Sequence, residues 1–258
     1  MDKNNSKNLA IFTFSEHYHE LRKRVIYSTL CFIIITSILF FFTEEIYNFF
    51  TKPLADIILK SNPKAHLIYT KLTEGFSTQI KLSVYLGIFI SLPFLIYQLY
   101  RFLSPGLYSH EKRAILPYLI FSPLLFILGV IVVYYIIIPI TWKFFLSFEI
   151  NEVSGGLPIK LEAKISEYFD LILEMILGFG LAFQLPLILA LLSSIGIISY
   201  KYLQKFRKYG IVIIFIISAI LTPPDVLSQI ILALPLMLLY EISIFVCKKI
   251  ETGRKSDA

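Results

Sequence analysis

The chain alternates long apolar runs with short polar islands, and most of the runs have membrane length. The first, Val25 to Thr43, holds 19 residues. As helix at about 1.5 Å per residue it nearly matches the roughly 30 Å hydrocarbon core of a bilayer. Thr13 and Glu16 have capping-box spacing, which predicts a helix from near Phe14 through Arg24 into that run, stopped by Glu44 and Glu45. Further runs cover about 76–100, Ile115 to Pro139, about 166–198, Tyr209 to Leu221, and Val226 to Cys247. The fourth is longer than a membrane is thick, so Pro186 is its expected kink, and Gly196 and Ser199 its expected end.

The pattern predicts an all-α integral membrane protein with six transmembrane helices in a single membrane-embedded domain over 1–258. Residues 1–24 and 248–258 are tails, and 25–247 form the bundle. The fifth run has only thirteen residues, about 20 Å as helix. With the sixth it makes a short, shallow hairpin turned by Thr222-Pro223-Pro224-Asp225, where the bilayer thins or water enters. The other reading embeds that turn within the bundle.

The connecting stretches carry their own signals. Residues 44–75 mix apolar positions (Ile46, Phe49, Leu54, Ile57) with polar ones, as an amphipathic helix at the membrane edge would, with Pro53 and Pro63 as breakers. Residues 140–165 form a loop whose Trp142, the only tryptophan, suits an aromatic belt. Residues 200–208 form a short basic loop, and Lys81 reaches toward the outer interface.

Composition agrees with this class. The chain is 57% hydrophobic and 16% charged, with mean hydropathy +0.74, whereas soluble domains carry about 25% charged residues. The net charge of +6 is explained by where Lys and Arg lie, so no nucleic-acid partner is expected. Sixteen fall in the N-tail, loop 101–113, loop 200–208 and the C-tail, against seven in the loops of the opposite side. Both termini are therefore expected in the cytoplasm. Cys31 and Cys247 predict no disulfide, and His17, His19, His66 and His110 lack ligand spacing, so no metal and no cofactor are expected. The N-terminal region does not read as a cleavable signal peptide, and HExxH, GxSxG, P-loop and GxGxxG motifs are absent, which argues against an enzyme.

Two polar islands hold the candidate chemistry. Phe102 to Arg113 contains a single carboxylate, Glu111, among cationic and aromatic neighbours, and Ser104-Pro105 reads as a cap with proline in a first helical turn. Glu16 to Arg24 contains Glu20, with Lys23 and Arg24 three and four residues on. Glu20 and Glu111 are either ordinary solvated or ion-paired carboxylates, or two receivers for a ligand's guanidinium groups, which they match in planar, bidentate geometry. Gln184 lies near mid-membrane, where its amide bonds a neighbouring helix or docks another protein's transmembrane helix. Asp170 and Glu174 read as interface residues. A proton-coupled small-solute transporter using these helix-four polar groups is the competing function.

His17-Tyr18-His19-Glu20-Leu21-Arg22-Lys23-Arg24 resembles the HLxELRxR signature of the TatC family, the large subunit of the twin-arginine protein translocase. Phe102 through Arg113 is similar to the family's first cytoplasmic loop, F-x-x-P-G-L-Y-x-x-E-x-R. Thr222 to Asp225 with Ser228-Gln229 resembles its last outer turn, and Lys52-Pro53-Leu54 its first outer loop. The resemblance covers about residues 14 to 247.

It implies a core receptor that binds the paired arginines of signal peptides on its cytoplasmic face. Glu20 and Glu111 would bind them, and Arg22, Phe102, Leu107 and Tyr108 would shape the patch. It further implies partnership with TatA- and TatB-type single-span subunits, self-association in a receptor complex, contact with membrane lipid, and export of folded proteins on the proton-motive force. The implied location is the bacterial inner membrane. Gln184 would serve partner-helix docking, and Pro53 and Asp225 would be functional on the outer side. Tyr18 departs from the family's usual leucine, Thr73 from a frequent proline, and Gln184 from a frequent glutamate.

Overall fold

A computed structural model of the chain describes residues 14–61, 66–106, 109–150, 159–221 and 226–256. Among these, ten α-helices follow in order: α1 (Phe14–Phe41), α2 (Thr43–Ser61), α3 (Glu74–Leu103), α4 (Ser109–Val132), α5 (Ile138–Leu146), α6 (Ile165–Ala182), α7 (Leu185–Ser194), α8 (Tyr200–Lys205), α9 (Arg207–Leu221) and α10 (Val226–Ser256). Extended backbone pairs only in two isolated bridges among the described residues, Ile68 with Lys164 and Ile150 with Ile159. Among the described residues, five stretches are long and apolar enough to cross a membrane: α1, α3, α4 with α5, α6 with α7, and α10. The chain is a multi-pass, all-helical membrane protein, and α9, at 15 residues, is the short helix its sequence predicts.

Several boundaries differ from the sequence expectation. Glu44 and Glu45 do not end the first helical region in a loop; they occupy the first turn of α2, where the helix dipole favours acids. Pro53 does not break α2 but sits inside it. It has no N–H to give the Phe49 carbonyl, and the Tyr134 hydroxyl donates to that carbonyl at 2.8 Å instead. The short helix expected at Ser104-Pro105 is a single 3-10 turn, Ser104–Gly106, and Ser104 serves as the C-cap of α3, its N–H donating to Tyr100 O. The region read as a basic loop folds partly as α8, N-capped by Ser199, whose side chain accepts from the Tyr202 N–H.

The loop expected over 140–165 starts later because the third span continues to Leu146. Pro139 cannot donate to Tyr135, and the ladder slips to a π turn over Val133–Ile137, with Ile138 N–H donating to Val133 O. Trp142 is not a belt residue. It is 5% exposed and stacks on Tyr168 at 5.1 Å between ring centroids. The fourth span breaks at Phe183 and Gln184, just before Pro186, and Gly196 ends its last turn with φ 85°.

The core gathers on α6. Tyr168, Phe169, Ile172, Leu173, Ile176 and Phe179 recur at helical spacing, and all are buried. Phe126, Val133 and Ile137 from the third span and Leu232 and Leu236 from α10 belong to the same cluster. Gly180 lets the helices approach, since a Cβ there would overlap the Phe126 ring. Glu74 ties the start of α3 to the start of α6. One carboxylate oxygen accepts from the Ser166 hydroxyl at 2.7 Å, and the other from the Thr70 N–H at 3.0 Å.

Candidate functional site

Connectivity sets where the two polar islands meet. α1 and α3 pack antiparallel, so the start of α1 lies beside the end of α3, and α4 begins six residues after Leu103. Two contacts fix this end. His17 stacks on Phe102 with ring centroids 4.3 Å apart. About two turns further along α1, Arg24 donates through Nη1 to Gln98 Oε1 on α3 at 2.9 Å.

Glu20 sits one helical turn before Arg24, as their i,i+4 spacing requires. Arg24 Nε and Nη2 both donate to the same oxygen, Glu20 Oε1, at 3.2 and 2.5 Å. The second oxygen, Oε2, has no partner among the described residues. The Glu20 side chain is 24% exposed and that of Arg24 is 14% exposed. Lys23, the other candidate partner of Glu20, instead lies 5.8 Å from the centre of the Tyr27 ring. Arg22 is exposed on the same helix. Below the pair, an apolar groove of about 460 Å³ runs between α1 and α3, lined by Leu21, Val25, Phe32, Leu95, Leu99 and Phe102 among others.

The remaining candidates fall differently. Glu111 is the third residue of α4, at the end of the bundle that also holds Glu20, and its side chain lies outside the described residues. Leu107, Tyr108 and Asp225 also lie outside them. Pro53 is within α2 at the opposite end of α1. Gln184 is 9% exposed, and its amide nitrogen donates to Ser122 O on α4 at 2.8 Å. Asp170 is held by Lys81 through both oxygens, at 2.8 and 2.9 Å. Glu174 is exposed. The three polar residues of the fourth span thus do not converge on a common solute site. Among the described residues, no group of three or more His, Cys, Asp or Glu is placed to hold a metal.

Sequence reasoning missed the Arg24–Gln98 bond, the Glu74–Ser166 tie and the Lys81–Asp170 pair. Each joins residues more than seventy positions apart. The available hint was an isolated amide or charge inside an apolar run, which must find a partner.

Comparison with known proteins gives one answer. Residues 16–235 match the family model described as Sec-independent protein translocase protein (TatC). The chain is 46% identical over 246 residues to the Sec-independent protein translocase protein TatC of Rickettsia prowazekii (strain Madrid E), covering 95% of this chain and 96% of that one. It is 40% identical over 243 residues to the TatC of Aquifex aeolicus (strain VF5), covering 94% and 97%. A crystal structure described as the twin arginine translocase receptor TatC superposes with a TM-score of 0.76 at 41% identity, covering 92% of this chain and all of that one. The matched proteins are components of a protein translocase and not a catalytic enzyme family. With its family match, its relatives and its helical architecture in agreement, the chain belongs to the TatC family of Sec-independent protein translocase subunits.

Proposed function

We propose that this protein is the core receptor subunit of a twin-arginine translocase in the bacterial inner membrane, taking the paired arginines of signal peptides at Glu20 and Glu111. The observation that carries this reading is the 41% identity, over 92% of the chain, to a solved structure described as a twin arginine translocase receptor. Physical chemistry supports the site. A carboxylate accepts a guanidinium as a planar fork, and in Glu20 Oε2 has no partner among the described residues while Oε1 is held by the displaceable Arg24. The apolar groove beneath it suits an apolar peptide segment adjoining the arginines. Arg22, Phe102, Leu107 and Tyr108 shape the surrounding patch.

The domain is a single six-span bundle with α9 as its short fifth span, and both termini face the cytoplasm, a reading supported by the excess of Lys and Arg in the tails and the loops on their side. TatA- and TatB-type single-span subunits are its partners, and it self-associates within a lipid-embedded receptor complex. Transport of folded cargo draws on the proton-motive force. Gln184 contributes to partner-helix docking through its carbonyl oxygen, its amide nitrogen being committed to Ser122. Pro53 and Asp225 serve the outer side.

The test is Glu20→Gln and Glu111→Gln in the full chain, with crosslinking of a twin-arginine signal peptide in membrane vesicles. Each change is expected to lower binding about tenfold or more, the weight of a charge-assisted hydrogen bond of about 1.5–3 kcal/mol. Unchanged crosslinking in both variants overturns the assignment.

A further inference from the structure

Glu20 already holds a guanidinium. Arg24 does not grip it as a fork, however, because Nε and Nη2 converge on Oε1 alone while Nη1 is turned to Gln98 Oε1 on the neighbouring helix. The arrangement differs from an ordinary surface i,i+4 pair in its setting. The Arg24 side chain is 14% exposed, and Gln98, its second acceptor, is 8% exposed. The resident guanidinium is thus shared between a charged acceptor on its own helix and a neutral one on α3.

That geometry bears on what a guest must do. A guest guanidinium that engages Glu20 as a fork needs both carboxylate oxygens, and Oε1 is taken. It must lift Arg24 from Glu20, and Gln98 gives the displaced arginine an acceptor to stay on. A guest ammonium offers a point charge without the paired, coplanar donors, so it trades a good contact for a poorer one and meets the Arg24 charge without displacing it. We propose that Arg24, anchored on Gln98, is a resident competitor for Glu20 and the residue that makes this site select arginine over lysine. The inference rests on Glu20 being a carboxylate that receives the signal peptide's arginine. Arg24 is a specificity-setting residue, with Gln98 as its positioning partner.

The two residues predict opposite shifts. Arg24→Gln empties Oε1, so a synthetic signal peptide with paired arginines binds as tightly as before or more tightly. Its paired-lysine twin gains about tenfold or more, the weight of one contact to a charged group. Gln98→Leu removes the resting place of the displaced arginine, so the arginine peptide binds more weakly while the preference for arginine persists. Arg24→Lys, which keeps the charge but has no planar guanidinium to bridge Glu20 and Gln98, also narrows the arginine-to-lysine ratio and serves where Arg24→Gln unfolds.

The measurement is peptide binding to the full chain in membrane vesicles, with thermal unfolding as the control for folding. An unchanged ratio in Arg24→Gln, or lost arginine binding in a folded Arg24→Gln protein, overturns the proposal. So do shifts of arginine binding in the same direction for Arg24→Gln and Gln98→Leu. Glu20→Gln separates the two levels. If it abolishes binding while Arg24→Gln leaves the ratio unchanged, only the competitor role fails; if it leaves binding unchanged, the receptor assignment of Glu20 fails with it.

Discussion

The Tyr134 hydroxyl stands where Pro53 leaves a gap. Proline has no amide hydrogen, so the Phe49 carbonyl four residues earlier lacks its helical donor, and Tyr134 Oη supplies the missing bond at 2.8 Å. Beside it, the buried Tyr168 hydroxyl donates to the Phe50 carbonyl at 2.6 Å. Two tyrosines from different spans thereby hold α2 against the bundle.

This relationship predicts a coupled pair. Tyr134→Phe should destabilise the protein by about 0.5–1.5 kcal/mol, the net worth of one hydrogen bond. In a Pro53→Ala background the alanine N–H can satisfy Phe49, and the same tyrosine substitution should cost much less. Thermal unfolding of the four proteins in detergent measures the coupling; equal costs in both backgrounds would contradict it.

Gly87 on α3 faces α1, and a Cβ there would collide with the Thr36 hydroxyl and crowd the Phe32 ring. Gly87→Ala should therefore weaken the α1–α3 contact by about 1–3 kcal/mol, as overpacking does in a filled interface. Since the same two helices carry Glu20, Arg24 and Gln98, peptide binding should fall along with stability. A stable variant with normal α1–α3 crosslinking would contradict the close approach.

Gln184→Leu removes the bond to Ser122 O between two spans. Interhelical hydrogen bonds in membranes contribute roughly 0.6–2 kcal/mol, and a loss in that range is expected on unfolding. If Gln184 also docks a partner helix, co-purification of the single-span subunit should drop further than in Ser122→Ala, which leaves the backbone acceptor in place.

Much of this architecture was legible in the sequence. Run length and helical period located the five long spans, the thirteen-residue fifth run foretold a short α9, and Pro186 foretold the break before α7. The i,i+4 spacing of Glu20 and Arg24 already allowed their pairing. What escaped reading depends on contacts between distant segments. Pro53 looked like a breaker because the hydroxyl that rescues its helix comes from a residue 81 positions away in sequence. Trp142 looked like a belt residue because nothing local reveals that Tyr168 covers it. Nothing local marks Gln98, whose partner Arg24 lies 74 positions away on α1.

The short α9 gives a separate expectation. Its 15 residues span about 22 Å as helix, less than the roughly 30 Å hydrocarbon core. Cysteines placed at Ile220 or Val226 should react with a membrane-impermeant thiol reagent from the outer side far faster than one placed at mid-span, for example at Leu234. Equal protection would mean that the hairpin tip is embedded in the bundle.

The most direct measurement carries a photoreactive residue in a signal peptide, next to its paired arginines, into membranes containing the full chain, and maps the adducts by mass spectrometry. The expected result is labelling within residues 14–24 and 98–113, lost when both arginines are lysine. Adducts confined to α2, or to the outer ends of α9 and α10, would contradict a receptor site at Glu20 and Glu111.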